Sequence, residues 1–205
     1  MGVIFKVSDD TNDLLVPFVK RRNPMKSTEE ICDAYVQASL GKITADGFWH
    51  KMGISEDCSK EYLDSSIELD ENAVPAFERL SENYRIGLLS NDVSEWSAYL
   101  REKFDLNRFF DCCIVSGDVG LRKPDIEIYK LALKTVGCRA EDCLFTDDRL
   151  ENLLPASALG MKVVKFNRND GFDSSMKFAQ TNNLLGIPIF SENVFLTAIE
   201  KTEII

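Results

Sequence analysis

Cys143-Leu144-Phe145-Thr146-Asp147-Asp148, CLFTDD, is a short apolar run that stops abruptly on a pair of carboxylates. A continuously apolar stretch of this length, with β-branched and aromatic residues, reads as a strand covered on both faces. Similar runs occur at Val3–Val7 (VIFKV), Arg85–Leu89 (RIGLL), Cys113–Val115 (CIV) and Val163–Phe166 (VVKF). Between them lie helical patterns near Ala73–Asn83, Val93–Lys103, Ile126–Val136 and Glu151–Ala158. This alternation predicts an α/β fold, a Rossmann-like core with a central parallel β-sheet flanked by helices.

In open parallel sheets, ligands gather beyond the carboxyl ends of the strands. The residues that follow each run are therefore the candidate site. They are Ser90-Asn91-Asp92 after the second run, Lys123-Pro124-Asp125 beyond the third, Asp147-Asp148 after the fourth, and Lys6 and Ser8 with Asp9-Asp10 at the first. The long gap from about Thr11 to Asp70 contains helical periodicity, as in Glu29–Leu40 (EEICDAYVQASL), and exceeds any ordinary crossover. It predicts a small helical cap over residues 14–70, inserted after the first strand, with the core at 1–13 and 71–205. The segment Asn193–Ile199 is expected to form a closing helix.

Composition narrows the function. The chain has 205 residues, 44% of them hydrophobic and 28% charged, with a net charge of −10, so an extended nucleic-acid interface is not expected. No apolar run approaches the roughly 20 residues that span a bilayer. The opening MGVIFKVSDD turns acidic after a handful of residues and lacks the Ser/Thr of a myristoylation signal. The six cysteines show no CxxC pair and no ligand spacing with the single histidine, His50. Scattered cysteines of this kind suit a reducing compartment, and a cytoplasmic protein without a disulfide framework or structural zinc is expected.

The strand-end residues, taken in order, resemble the haloacid dehalogenase superfamily, in the subclass with a helical cap after the first strand. Leu88-Leu89-Ser90-Asn91 is similar to its second motif. Lys123-Pro124-Asp125-Ile126-Glu127-Ile128-Tyr129 is similar to its third, and Leu144-Phe145-Thr146-Asp147-Asp148 with Asn152 to its fourth. The resemblance implies a phosphatase-like hydrolase in which Ser90, Asn91 and Lys123 bind a phosphoryl group and Asp147 and Asp148 hold Mg²⁺. A hydroxyl at a strand-to-helix turn and a lysine are suited to phosphate, and paired carboxylates suit a hard cation. Pro124 is expected in the first helical turn.

The first motif departs from the family's hhhhDxDx[TV]. Laid on it without gaps, the sequence has Lys6 and Ser8 at the positions of the two catalytic aspartates. An ammonium cannot form an acyl-phosphate, and a hydroxyl is a poor proton shuttle at neutral pH. Sliding the register by two restores an acid at Asp10 but no nucleophile. Lys6 has a second consequence. At ~4 Å from Asp147 and Asp148 it would gain about 4 kcal/mol per unit pair at an effective dielectric of about 20, replacing and repelling Mg²⁺.

Two functions stay open on these grounds. One is a catalytically impaired member that keeps a phosphate-sized anion pocket for a small phosphorylated ligand or a protein partner. The other is an active Mg²⁺-dependent phosphatase of a small metabolite, working through an altered first motif. Simpler readings accompany several residues: Ser90-Asn91 as a helix cap, Trp49 and His50 as cap packing and surface, Lys20-Arg21-Arg22 as a solvated face, and Asp9, Asp10 and Asp13 as turn residues.

Overall fold

The structure, a computed structural model, describes residues 2–7, 9–167, 179–181 and 193–196. Ser8 lies outside them. The described strands form one six-stranded sheet in the order β2-β1-β6-β3-β4-β5. They are β1 Arg85–Ser90, β2 Cys112–Val115, β3 Cys143–Asp147, β4 Lys162–Phe166, β5 Ala179–Thr181 and β6 Asn193–Leu196. Every pairing is parallel. β3 is buried along its whole length, as a strand covered on both faces must be.

Helices α5 Ala73–Ser81, α6 Ser94–Lys103, α8 Ile126–Val136 and α9 Leu150–Ala158 accompany the sheet, with a single turn, α7, at Ser116–Val119. The start of α8 is fixed by the Asp125 carboxylate, which accepts from Glu127 N, and its end by Gly137 at φ 72°, a left-handed conformation that costs glycine little. Pro124 precedes this cap and stands outside the helix, which corrects its expected place in the first turn.

Two N-terminal expectations are overturned together. Val3–Val7 is not a strand of the sheet. It is a turn-rich segment with an isolated antiparallel bridge, Phe5 to Leu69, flanked by Lys6 N to Glu68 O (2.9 Å) and Asp70 N to Ile4 O (3.0 Å). Its apolar side chains are buried all the same, so burial alone explains the hydrophobic run. The slot between β1 and β3 is taken instead by β6, whose Leu196 is level with Leu88 and Thr146. The segment expected as a closing helix thus contributes a strand, and Val194-Phe195 suits that state.

Helices α1 Val16–Arg22, α2 Thr28–Ala38, α3 Ala45–Lys51 and α4 Ser59–Ser66 lie between the N-terminal segment and α5. A capping box starts α2: Ser27 Oγ accepts from Glu30 N, and the Glu30 side chain accepts from Ser27 N. The Thr44 hydroxyl caps α3 by accepting from Gly47 N at 3.0 Å. These helices join the core through an aromatic cluster. Trp49, Tyr62 and Trp96 are almost fully buried, and the two indole N–H groups both donate to Ser59 Oγ, at 2.9 Å from Trp49 and 2.7 Å from Trp96. Tyr35 of α2 stacks on Trp96 of α6 with ring centroids 6.2 Å apart. No described helix is long and apolar enough to cross a membrane.

Candidate functional site

At the carboxyl end of the sheet lies a polar cavity of about 230 Å³. Lys123 and Asp147 form its floor. Both are buried, and Lys123 Nζ stands 2.7 Å from Asp147 Oδ2. The same ammonium donates to Leu89 O at 2.9 Å, at the end of β1. An ammonium has three protons. The third has no acceptor among the described residues.

Asn91 fixes this lysine from below. Its Nδ2 donates to Lys123 O and its Oδ1 accepts from Lys123 N, each at 2.8 Å. The amide expected to bind substrate is therefore spent on the Lys123 main chain, although Asn91 still borders the cavity. Ser90 is displaced further from expectation. It lines a separate apolar cavity of about 20 Å³ with Ile4, Phe5 and Leu88. The reason is strand alternation: Ser90 and Leu88 are two apart on β1 and share a face, whereas Leu89 and Asn91 fall on the other.

Asp147 is held as a carboxylate. Burial alone would raise its pKa, but the Lys123 ammonium and donations to Oδ1 from Arg149 N (2.8 Å) and Asn152 Nδ2 (3.0 Å) outweigh it and keep the value below the usual range. Asp148 goes the other way, raised by burial and by the adjacent Asp147 charge. Its main-chain carbonyl accepts from Lys165 Nζ at 2.6 Å. The Gly2 backbone lies directly against its carboxylate: a Cβ at Gly2 would stand 2.3 Å from Asp148 Oδ2. Among the described N-terminal residues, Gly2 thus lies against Asp148.

Lys6 is elsewhere. It is exposed and paired with Glu68 (2.8 Å) and Glu71 (2.6 Å), whose hydrogen bonds raise its pKa. The expected contact with Asp147 and Asp148 is not formed, and Lys123 supplies the neutralising charge. The segment turns at Phe5 to pair with residues 68–70, which carries the Lys6 side chain to the surface beside two glutamates.

Several site residues escaped the sequence reading. Asp10, a turn residue in one reading and the acid of the slipped first motif in the other, borders the polar cavity and accepts from Tyr35 Oη at 3.4 Å. Burial pushes the Tyr35 phenol well above its ordinary pKa, so it is a neutral donor. Arg122 and Arg149 also border the cavity. Arg149 is paired with Asp9 at 3.5 Å and Glu151 at 4.0 Å. Of these two arginines only Arg122 carries a sequence signal, as a cation directly before Lys123. Asp92 is fully enclosed behind the site, where burial and the Asp10 charge push its carboxyl up to about 7.

The fit to Mg²⁺ is poor. Asp147 directs both oxygens to Lys123, Arg149 and Asn152, leaving Asp148, itself packed against Gly2, as the remaining member of the pair. Among the described residues no group of three or more His, Cys, Asp or Glu gathers as a metal site. The obstacle is this commitment of Asp147, and not an ammonium at Lys6.

Residues 26–160 match the family model described as haloacid dehalogenase-like hydrolase. The chain belongs to that family. Among curated relatives, drimenol cyclase drtB of Aspergillus calidoustus is 32% identical over 127 residues, 60% of this chain and 23% of that protein. Glyceraldehyde 3-phosphate phosphatase of Methanothermobacter thermautotrophicus is 32% identical over 42% of this chain and 39% of its own length. Sesquiterpene phosphatase astK of Aspergillus oryzae is 26% identical over 72% of this chain and 79% of its own length. The chain thus spans less than half of the first two relatives and most of the third. In fold, it is similar to the HAD family enzyme bt-2542 of Bacteroides thetaiotaomicron, whose Asp-to-Ala mutant was solved with magnesium and inorganic phosphate. The TM-score is 0.70 at 21% identity, over 86% of this chain and 95% of that one.

Proposed function

We propose that this member of a phosphatase-like hydrolase lineage binds a small phosphorylated ligand, or phosphate itself, in the cavity above Lys123, and turns it over slowly or not at all. The observation that carries the reading is the Lys123 ammonium, buried at the sheet's carboxyl end with two acceptors and a third proton left for the cavity. A phosphoryl oxygen is the acceptor that would complete it, in a charge-assisted hydrogen bond. Asn91 positions Lys123, and Asp147 pairs with it in a buried place.

The sheet supports weak turnover. Nucleophilic attack on phosphorus needs an activated group opposite the lysine. The slot between β1 and β3 is filled by β6, whose described residues Asn193–Leu196 include no carboxylate. Asp147 is neutralised by Lys123, and Asp148 is packed on Gly2. Uncatalysed phosphate-monoester hydrolysis is slow enough that pocket electrostatics alone would leave turnover invisible in ordinary assays.

A second reading draws on Asp10, a carboxylate on the cavity wall that accepts from Tyr35. In that reading the protein is an active phosphatase, with Asp10 as its reacting carboxylate. Hydrolysis of p-nitrophenyl phosphate, with and without Mg²⁺, separates the two. The first reading expects phosphate to bind in calorimetry with no turnover above buffer. Metal-dependent turnover abolished by Asp10→Asn would overturn it in favour of the second.

A further inference from the structure

Arg122 presents a charge that the fold does not neutralise. Its guanidinium borders the same cavity as Lys123, yet no carboxylate lies within ion-pair distance of it among the described residues. Its contacts are the Ser39 hydroxyl, at the end of α2, and the Tyr35 ring, 5.4 Å from Cζ to centroid. The other cations there are balanced: Lys123 by Asp147, and Arg149 by Asp9 and Glu151. Asp10, Asp147 and Asp148 border the same cavity without pairing with Arg122; Asp92, on which the Arg122 charge acts at longer range, has its carboxyl pushed up to about 7 by burial and the Asp10 charge. An unpaired guanidinium in a polar pocket, with a fork of donors of which only some are used, fits a second planar or tetrahedral anion.

We infer that the ligand carries two anionic groups, one on Lys123 and the other on Arg122 at the wall formed by Tyr35 and Ser39. The inference rests on the phosphate reading of the Lys123 cavity and adds the substrate class: a diphosphate, or a phosphate ester bearing a carboxylate. Arg122 is then a specificity residue. Ser39 and Tyr35 hold its side chain so that the second group binds to a preorganised charge. A ligand with one phosphate leaves that charge without a partner and binds less tightly.

The test is calorimetric titration of the whole protein with glycerol 3-phosphate, inorganic pyrophosphate and 3-phosphoglycerate. At least one of the two ligands with a second anion is expected to bind about tenfold tighter than glycerol 3-phosphate, as a charge-assisted hydrogen bond of about 1.4 kcal/mol would give. Which of the two gains decides between diphosphate and phosphate–carboxylate chemistry. Arg122→Gln, which keeps a donor for Ser39 and removes the charge, is expected to erase the gain, weakening the two-anion ligand about tenfold more than glycerol 3-phosphate. Arg122→Lys is expected to restore part of it. Equal affinities for all three ligands in wild type would overturn the inference while leaving the phosphate reading intact, as would an undiminished gain in Arg122→Gln. Loss of glycerol 3-phosphate binding in that variant would overturn it too, by placing Arg122 on the first phosphate. Failure of every phosphate ligand to bind wild type would instead refute the phosphate reading itself, and this inference with it.

Discussion

Replacing Lys123 by methionine removes the cation from a pair in which both side chains are almost wholly excluded from water, 3% exposed for lysine and 1% for aspartate. The loss is not that of a surface ion pair. It leaves Asp147 charged in a low-dielectric interior, and breaking a buried pair from one side costs about 3–5 kcal/mol. Arg149 N and Asn152 Nδ2 still donate to Asp147 Oδ1, which argues for the lower end of that range. For a domain of this size, each kcal/mol moves Tm by about 2–4 °C, so a fall of roughly 6–20 °C is expected at pH 7.5.

The pH dependence has a definite sign. In wild type the Asp147 pKa is depressed, so its contribution is present above the unfolded value and is lost as pH falls through the folded one. Without Lys123, burial raises the pKa, and stability is lost as pH rises. The gap between wild type and Lys123→Met should therefore narrow from pH 8 to pH 5. Thermal denaturation followed by circular dichroism measures it, and Lys123→Met/Asp147→Asn should recover most of the loss by removing the orphaned charge. A single variant within 1 °C of wild type at pH 7.5, or a double variant no better than the single, would refute the reasoning.

Three further outcomes follow from the same geometry. Asp92→Asn should stabilise the protein increasingly as pH rises from about 4 to 7. A carboxyl raised from 3.8 to about 7 binds a proton in the folded state that the unfolded state has lost, a cost of roughly 4 kcal/mol at most by pH 7; a Tm difference independent of pH contradicts this. Ser59→Ala strips the acceptor from two indole N–H groups in the cluster joining α3 and α4 to α6 and should cost about 2–4 kcal/mol in urea denaturation, with under 1 kcal/mol counting against the joint. Lys6→Asp should generate no phosphatase activity and leave phosphate affinity unchanged, since Lys6 lies on the surface beside Glu68 and Glu71; gained turnover would return Lys6 to the site.

The residues that revealed the fold were those whose pattern and position say the same thing. CLFTDD reads as a buried strand followed by ligand-facing carboxylates, and β3 with Asp147 has that form. Lys123 was legible for the same reason, as a cation at a strand-to-helix junction. VIFKV misled because a continuous apolar run reports burial, and burial is reached here in turns packed under Leu69 and the sheet. That expected strand sets Lys6 against Asp147 and Asp148, whereas in the fold Gly2 lies against Asp148 and Lys6 is at the surface. The slot left open was filled by 193–196, a non-local pairing that no local pattern encodes. Arg122, Tyr35 and Asp10 come from separate segments, and only the folded chain brings them to one cavity.

The central claim is that phosphate binds on Lys123 with no nucleophile opposite it. A crystal structure of the protein soaked in phosphate tests it most directly. The account predicts a tetrahedral anion within about 3 Å of Lys123 Nζ, the length of a charge-assisted hydrogen bond, with no side-chain carboxylate in line on its far side. An anion bound elsewhere, or a carboxylate of this chain poised in line with the phosphorus, would contradict it.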